Sequence, residues 1–195
     1  TPALFLGINL FHKEIEGVIE EVDTGEVRDG KDVFRIENVG DGFLQGIELE
    51  QRAQLGELIH PSLSGFSLWA NQSLFNSELT DQTGRERPFN EQPDVIANFG
   101  GDYTFAATKT TFTAAAKFRD ELQKFVSDDE REIEDSIWTL DLGVRQQIGE
   151  NATLVFEAIN VTDAEKRKTK FKDNEIEREV ESAGRLFFLG FEATF

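Results

Sequence analysis

Apolar and polar residues alternate with period two along most of the chain. Leu4, Leu6, Ile8 and Leu10 are apolar at even positions, with Gly7, Asn9 and Lys13 on the other parity. Val95, Ala97, Phe99, Gly101, Tyr103 and Phe105 alternate with Asp94, Asn98, Asp102 and Thr104. Phe112, Ala114, Ala116 and Phe118 repeat the pattern, as do Trp138, Leu140, Leu142 and Val144, and the chain ends on Phe187, Leu189, Phe191, Ala193 and Phe195. A strand places alternate side chains on opposite faces, so each run has one apolar and one polar face. Helical periodicity competes only weakly, across 119–135. The pattern predicts an all-β chain of about eight strands, near 3–19, 32–54, 65–80, 93–106, 110–122, 136–148, 152–164 and 178–195.

The connections segregate by length. Short turns fall near 106–109 and 149–151, with a modest one near 56–65. Long polar connections fall near 23–30, 76–92, 121–135 and 163–181, and antiparallel order sends the two sets to opposite ends. Short turns at one end and long charged loops at the other are the layout of an antiparallel outer-membrane barrel. A soluble sandwich or lipocalin-like barrel, a binding protein with an apolar interior, gives the same alternation. Three features favour the membrane: polar faces of Asn, Gln, Thr, Gly and mixed charge; the segregated loops; and an apolar final residue.

Composition narrows the classes. The 195 residues carry 38 acids against 20 bases, a net charge of -18, which argues against a nucleic-acid partner. No apolar run is long enough for a transmembrane helix. Zero cysteines exclude disulfides, thiol catalysis, iron–sulfur clusters and Cys-based zinc sites. Phe occurs 18 times, Tyr once and Met never; Phe at that density suggests aromatic side chains on an outer surface. The chain opens on Thr1-Pro2 without a signal peptide and reads as a processed product or fragment, with a segment missing upstream.

Several stretches resemble the C-terminal part of the TonB-dependent receptor barrel. Phe11-His12-Lys13-Glu14-Ile15-Glu16-Gly17-Val18-Ile19 is similar to a strand rising to an outer loop. Glu37-Asn38-Val39-Gly40-Asp41-Gly42 followed by Gln45-Gly46-Ile47-Glu48-Leu49-Glu50 resembles the family's Asn-x-Gly…Gly-x-Glu-x-Glu strand. Arg87-Pro88-Phe89-Asn90-Glu91-Gln92-Pro93 resembles its pre-strand proline motif. Phe156-Glu157-Ala158-Ile159-Asn160-Val161-Thr162-Asp163 resembles its penultimate strand, and 184–195 its last strand with the terminal aromatic. Phe in place of nearly all Tyr departs from the family.

The resemblance implies a segment of a 22-stranded barrel plugged by an N-terminal domain. At about 24 residues per strand, such a barrel needs roughly 530 residues, so residues 1–195 form its C-terminal portion without plug or earlier strands. The expected role is part of an active importer of a scarce solute in the bacterial outer membrane, a multi-pass protein energised through TonB. Iron chelates, cobalamin and glycans all fit as the solute. The expected partners are the rest of the barrel, the plug, TonB, outer-membrane lipid and an unidentified substrate. A structural or adhesion barrel without transport is the other membrane reading.

No motif points to catalysis, a cofactor or a metal site. No serine sits in Gly-x-Ser-x-Gly, and His12 and His60 lack a partner motif. Six carboxylates lie within 128–135, but without the Asp-x-Asp-x-Asp-Gly spacing of a calcium loop they read as a solvated outer loop. Three Asn-x-Ser/Thr triplets, at Asn71, Asn151 and Asn160, carry no meaning as glycosylation sites in this setting. Leu140, Leu142, Phe112, Phe118, Phe99, Phe187, Leu189 and Phe191 are expected to face lipid. Glu48, Glu50, Arg52, Asp102, Lys117, Asp141 and Arg145 are expected to face the lumen, pairing with neighbouring strands or the plug. Phe187, Leu189, Phe191 and Phe195 are expected to form the insertion signal of the last strand.

Overall fold

The computed structural model of the chain describes residues 3–82, 84–127, 130–172 and 175–194. In chain order the strands are β1 (Leu4–Arg28), β2 (Lys31–Gln54), β3 (Phe66–Asp81), β4 (Glu86–Arg87), β5 (Val95–Phe105), β6 (Thr110–Arg119) and β7 (Leu122–Phe125). They continue as β8 (Glu130–Glu134), β9 (Ile137–Ile148), β10 (Ala152–Ile159), β11 (Lys166–Lys172), β12 (Glu175–Glu181) and β13 (Leu186–Ala193). One helical turn, α1 (Leu55–Leu58), and a 3-10 turn at Pro61–Leu63 link β2 to β3.

Eight strands form one antiparallel meander in the order β1-β2-β3-β5-β6-β9-β10-β13, and β4 adds to β3. Among the described residues β1 and β13 are the edges, so this sheet does not close on itself as an eight-stranded soluble barrel would. The meander puts the connections after β1, β3, β6 and β10 at one end and those after β2, β5 and β9 at the other. That is the expected segregation.

Register fixes which side chains share a face. One row runs Leu4, Ala53, Leu68, Gly101, Ala114, Leu142, Ala158 and Phe187 across all eight strands. The neighbouring row, on the opposite face, runs Gln54, Ser67, Asp102, Thr113, Gly143, Glu157 and Phe188. Phe99, Phe112, Phe118, Leu140, Leu189 and Phe191 fall on the first face. Among the described residues nothing covers that face: Ile8 is 73% exposed, Leu10 69% and Leu189 76%. A continuous uncovered apolar face of this extent is a liability in water and the solvent-matched surface in lipid.

The outer end departs from the expected loops. The 23–30 connection is strand nearly throughout: β1 and β2 pair up to Arg28 and Lys31, and only Asp29 and Gly30 turn, both with positive φ (54° and 75°). Those angles are the two-residue I′ turn that Asp-Gly favours. The apolar alternation stops there, so the sequence pattern predicts a loop, yet strands beyond the apolar face need only backbone pairing to continue. The connections at 121–135 and 163–181 are likewise the hairpins β7–β8 and β11–β12. The expected strand at 178–195 is two elements, because Gly184 (φ 70°) breaks it before Leu186, and the expected 152–164 strand stops at Ile159, before Asn160 (φ 54°).

The two hairpins form a second sheet in the order β7-β8-β11-β12. Each of its strands continues a wall strand outward: β7 follows β6, β8 leads into β9, β11 follows β10 and β12 leads into β13. On one face the partners are Lys168 with Glu134, Lys170 with Glu132 and Lys172 with Glu130 on β8, and Lys166, Lys168, Lys170 and Lys172 with Glu181, Glu179, Glu177 and Glu175 on β12. Opposite charges directly across a ladder stabilise its register.

Candidate functional site

The polar face of the wall carries all seven charged candidates, spread along its strands rather than gathered at one point. Glu48 accepts a hydrogen bond from Asn9 Nδ2 at 2.8 Å, and Glu50 pairs with Arg52 at 2.7 Å on the same strand. Asp102 accepts from Thr113 Oγ1 at 2.6 Å. Lys117 lies 2.6 Å from Asp141 on the next strand, and the Arg145 guanidinium grips Glu192 of β13 through two nitrogens, at 2.7 and 3.3 Å. Each charge is therefore held within the wall, by its own strand, by a neighbouring one or, for Arg145, by β13 across the intervening β10.

The polar face also holds aromatic rings that the alternation did not flag. Phe5 and Phe11 are out of phase with Leu4–Leu10, and their partners Arg52 and Gly46 place them among the polar side chains. Phe11 meets Phe75 at 6.2 Å between centroids. Trp69 lies across Gly100 on the next strand, where any Cβ would collide with the indole. Their signal was parity: an aromatic at the wrong phase of an otherwise regular strand.

At the outer end three connections are clasped together. Glu20 of β1 and Arg87 of β4 form an ion pair at 2.6 Å, with side chains 9% and 8% exposed. Asn90 donates to Glu20 from its backbone N–H (3.3 Å) and from Nδ2 (3.0 Å). The same Asn90 side chain accepts from Phe125 N–H at 2.8 Å and donates to the Phe125 carbonyl at 3.2 Å. The Arg87 guanidinium carbon stands 5.3 Å from the Phe125 ring centroid. Beside this clasp opens a cleft of about 330 Å³, lined by Glu20, Glu37, Asp81, Arg85 and Phe125 among others.

The acidic run is a ladder and not a free loop. Glu130 and Glu132 pair with Lys172 (3.0 Å), Lys168 (3.5 Å) and Lys170 (3.7 Å), while Asp128 and Asp129 lie outside the described residues. Hydrogen bonds that the Lys172 ammonium donates to Glu130 and to Asp32 of β2 raise it above the usual lysine range. Among the described residues no three His, Asp or Glu side chains come together in a way that would hold a metal ion. His12 stacks on Phe43, and His60 caps the 3-10 turn by accepting from Ser62 N–H.

One site residue passed over in the sequence is Asn160. Its Oδ1 accepts from Ala164 N–H (2.9 Å), and its Nδ2 donates to the carbonyls of Ala164 (3.1 Å) and Gly184 (3.2 Å). It thereby ties the exit from β10 to the entry into β13. The motif around it was visible, but as a triplet Asn160 read only as a glycosylation pattern. Phe187, Leu189 and Phe191 share the apolar face of β13; Phe195 lies outside the described residues.

Comparison with solved structures places the whole chain on one architecture. The siderophore receptor PiuA from Acinetobacter baumannii superposes with a TM-score of 0.66 at 17% identity, covering 98% of this chain and 26% of that one. The ferric citrate transporter FecA in its unliganded form gives 0.68 at 18% identity, covering 97% and 29%. The pyoverdine receptor FpvA from Pseudomonas aeruginosa, bound to pyoverdine, gives 0.64 at 16% identity, covering 99% and 27%. The chain thus spans between a quarter and three-tenths of these receptors. No curated protein matches the sequence. The sequence does match the family described as TonB dependent receptor-like, beta-barrel, over residues 1–161, and with the open antiparallel wall and its two-faced strands, the chain belongs to that family.

Proposed function

We propose that residues 1–195 are the C-terminal wall of an outer-membrane importer, about eight strands of a 22-stranded barrel whose plug and earlier strands lie elsewhere in the protein. The observation that carries this reading is the pair of rows across the sheet, Leu4 to Phe187 apolar and Gln54 to Phe188 largely polar. The first faces lipid and the second a hydrated lumen. Glu48, Glu50, Arg52, Asp102, Lys117, Asp141 and Arg145 then line that lumen; their engagement by partners within the wall fits a structural wall that a plug packs against better than a substrate-binding surface. Family membership supports a transport receptor and no enzyme activity.

The substrate reading follows the solved proteins of similar fold, a siderophore receptor, a ferric citrate transporter and a pyoverdine receptor. A ferric chelate is accordingly the solute class to test first, with TonB supplying the energy. In cells lacking the parent protein, uptake of labelled ferric chelates is expected to fall and to return on complementation. In complemented cells, removal of TonB is expected to abolish uptake while leaving surface binding. Unchanged uptake of ferric chelates, cobalamin and glycans in the deletion strain would leave a non-transport barrel as the better reading.

The last strand is also proposed as the recognition element for assembly. Phe187, Leu189, Phe191 and Phe195 share a parity, and before closure the strand offers a row of backbone donors and acceptors to an assembly machine that pairs by strand addition. Deletion of Phe195 in the intact protein is expected to lower the heat-modifiable folded barrel in outer membranes; undiminished assembly would refute the signal.

A further inference from the structure

The outer sheet is charge-patterned strand by strand. Lys124 on β7 faces Glu132, the carboxylates of β8 face the lysines of β11, and those lysines face the carboxylates of β12. The lysines are not shared evenly. They approach Glu130 and Glu132 at 3.0 to 3.7 Å, and those carboxylates are largely buried. Toward β12 the one ion pair among the described residues is Lys170 with Glu179, a long contact of 4.0 Å. Every residue of β12 is exposed, and among the described residues β12 has no strand on its other side. Glu175, Glu177, Glu179 and Glu181 therefore present a row of poorly compensated carboxylates beside a backbone edge left unpaired among the described residues.

We infer that β12 is completed by a basic strand, with Lys or Arg at alternate positions, that is the outward continuation of the barrel strand pairing with β13. Two observations choose this occupant. First, β12 leads into β13 through only four residues, 182–185, and β12 and β13 end their sheets on the same side of the meander, so one neighbouring strand can serve both edges. Second, the sign alternation from β7 to β12 calls for a positive strand next, since opposite charges across a ladder are favourable and like charges are not. A second copy of this chain does not fit, because its β12 would set glutamates against glutamates. The inference rests on reading β13 as a wall strand of a closed barrel.

The intact receptor in lipid or detergent provides the test. In an antiparallel strand successive N–H groups point to opposite sides, so alternate amides of β12 face β11 and the open edge. Residue-resolved hydrogen exchange is expected to show both sets protected by at least a hundredfold in β12 as in β13. Exchange of the edge-facing set of β12 at an unstructured rate, with β13 fully protected, would overturn the inference and leave the barrel reading standing. Fast exchange along the β13 edge as well would sink the barrel reading itself. A photoreactive phenylalanine at the exposed Val180 identifies the neighbour: it is expected to capture a segment with Lys or Arg at every second position. Capture of a segment without that alternation, capture of β11 alone, or no capture overturns the inference.

Discussion

The carboxylate of Asp141 accepts the backbone N–H of Asn160 at 2.9 Å, while its second oxygen lies 2.6 Å from the Lys117 ammonium. One side chain on β9 thus secures β6 on one side and the end of β10 on the other. Asp141→Ala removes both interactions and is expected to cost about 2 kcal/mol. Asp141→Asn keeps an acceptor for the N–H and is expected to cost about half as much. Urea unfolding of the barrel in lipid vesicles measures both; equal losses would show that the N–H bond contributes nothing.

Asn160 combines a left-handed backbone with side-chain bonds to both exits. Asn160→Gly keeps the backbone and loses the bonds, whereas Asn160→Ala adds a Cβ penalty of about 1 kcal/mol. The expected order of stability is Asn, then Gly, then Ala, with Ala about 2–3 kcal/mol below the parent. The same unfolding assay reads the order, and Ala above Gly would contradict it.

Leu142 and Ser73 stand on opposite faces of the wall. Leu142→Arg is expected to cost about 2–4 kcal/mol, the range for a charge placed against lipid near mid-membrane. Ser73→Arg, beside Glu48 on the polar face, is expected to cost under about 1 kcal/mol. Equal tolerance in a vesicle insertion assay would contradict the assignment of faces.

The Glu20–Arg87 pair is nearly sealed from water, and removing one partner of such a pair costs about 3–5 kcal/mol because the other charge stays buried. Arg87→Ala is expected to loosen the outer clasp and not the wall, since outer connections open locally while the sheet remains paired. Limited proteolysis should cut within 84–92 and 120–127 in the variant alone. Wall unfolding should be unchanged.

Lys172 bonds to Glu130 on β8 and Asp32 on β2, and both partners raise its pKa. A raised lysine stabilises the folded contact fully below its ordinary value and loses that contribution as pH climbs through the folded one. The tie between the β1–β2 hairpin and the outer sheet is therefore expected to persist through pH 10 and to weaken only well above it. Hydrogen exchange near Asp32 measured across that range checks the sign; weakening between pH 6 and 9 would contradict it.

The faces of the wall were legible in the sequence because a strand with one apolar face shows strict alternation, as in Leu140 and Leu142 or Phe187 and Leu189. The outer sheet was not, because the reading followed apolar residues, and there the alternating residues are charged. Lys166, Lys168, Lys170 and Lys172 have the same period of two, and so do Glu130, Glu132 and Glu134. Nor was the clasp legible, since Glu20, Arg87, Asn90 and Phe125 come together only after three separate connections fold back. Asn160 shows a third limit: its role lies in a backbone angle that residue type only hints at.

The length of the first hairpin bears on where a solute is met. β1 continues past Leu10, the last residue of its apolar run, for about 18 residues, which at about 3.3 Å each and a tilt near 45° lifts its tip on the order of 40 Å above the hydrocarbon. A molecule approaching from outside touches this paired, acidic rim long before it reaches the lipid surface. That rim is a hydrogen-bonded ladder, so its carboxylates stand at fixed height and spacing instead of being averaged over a mobile loop.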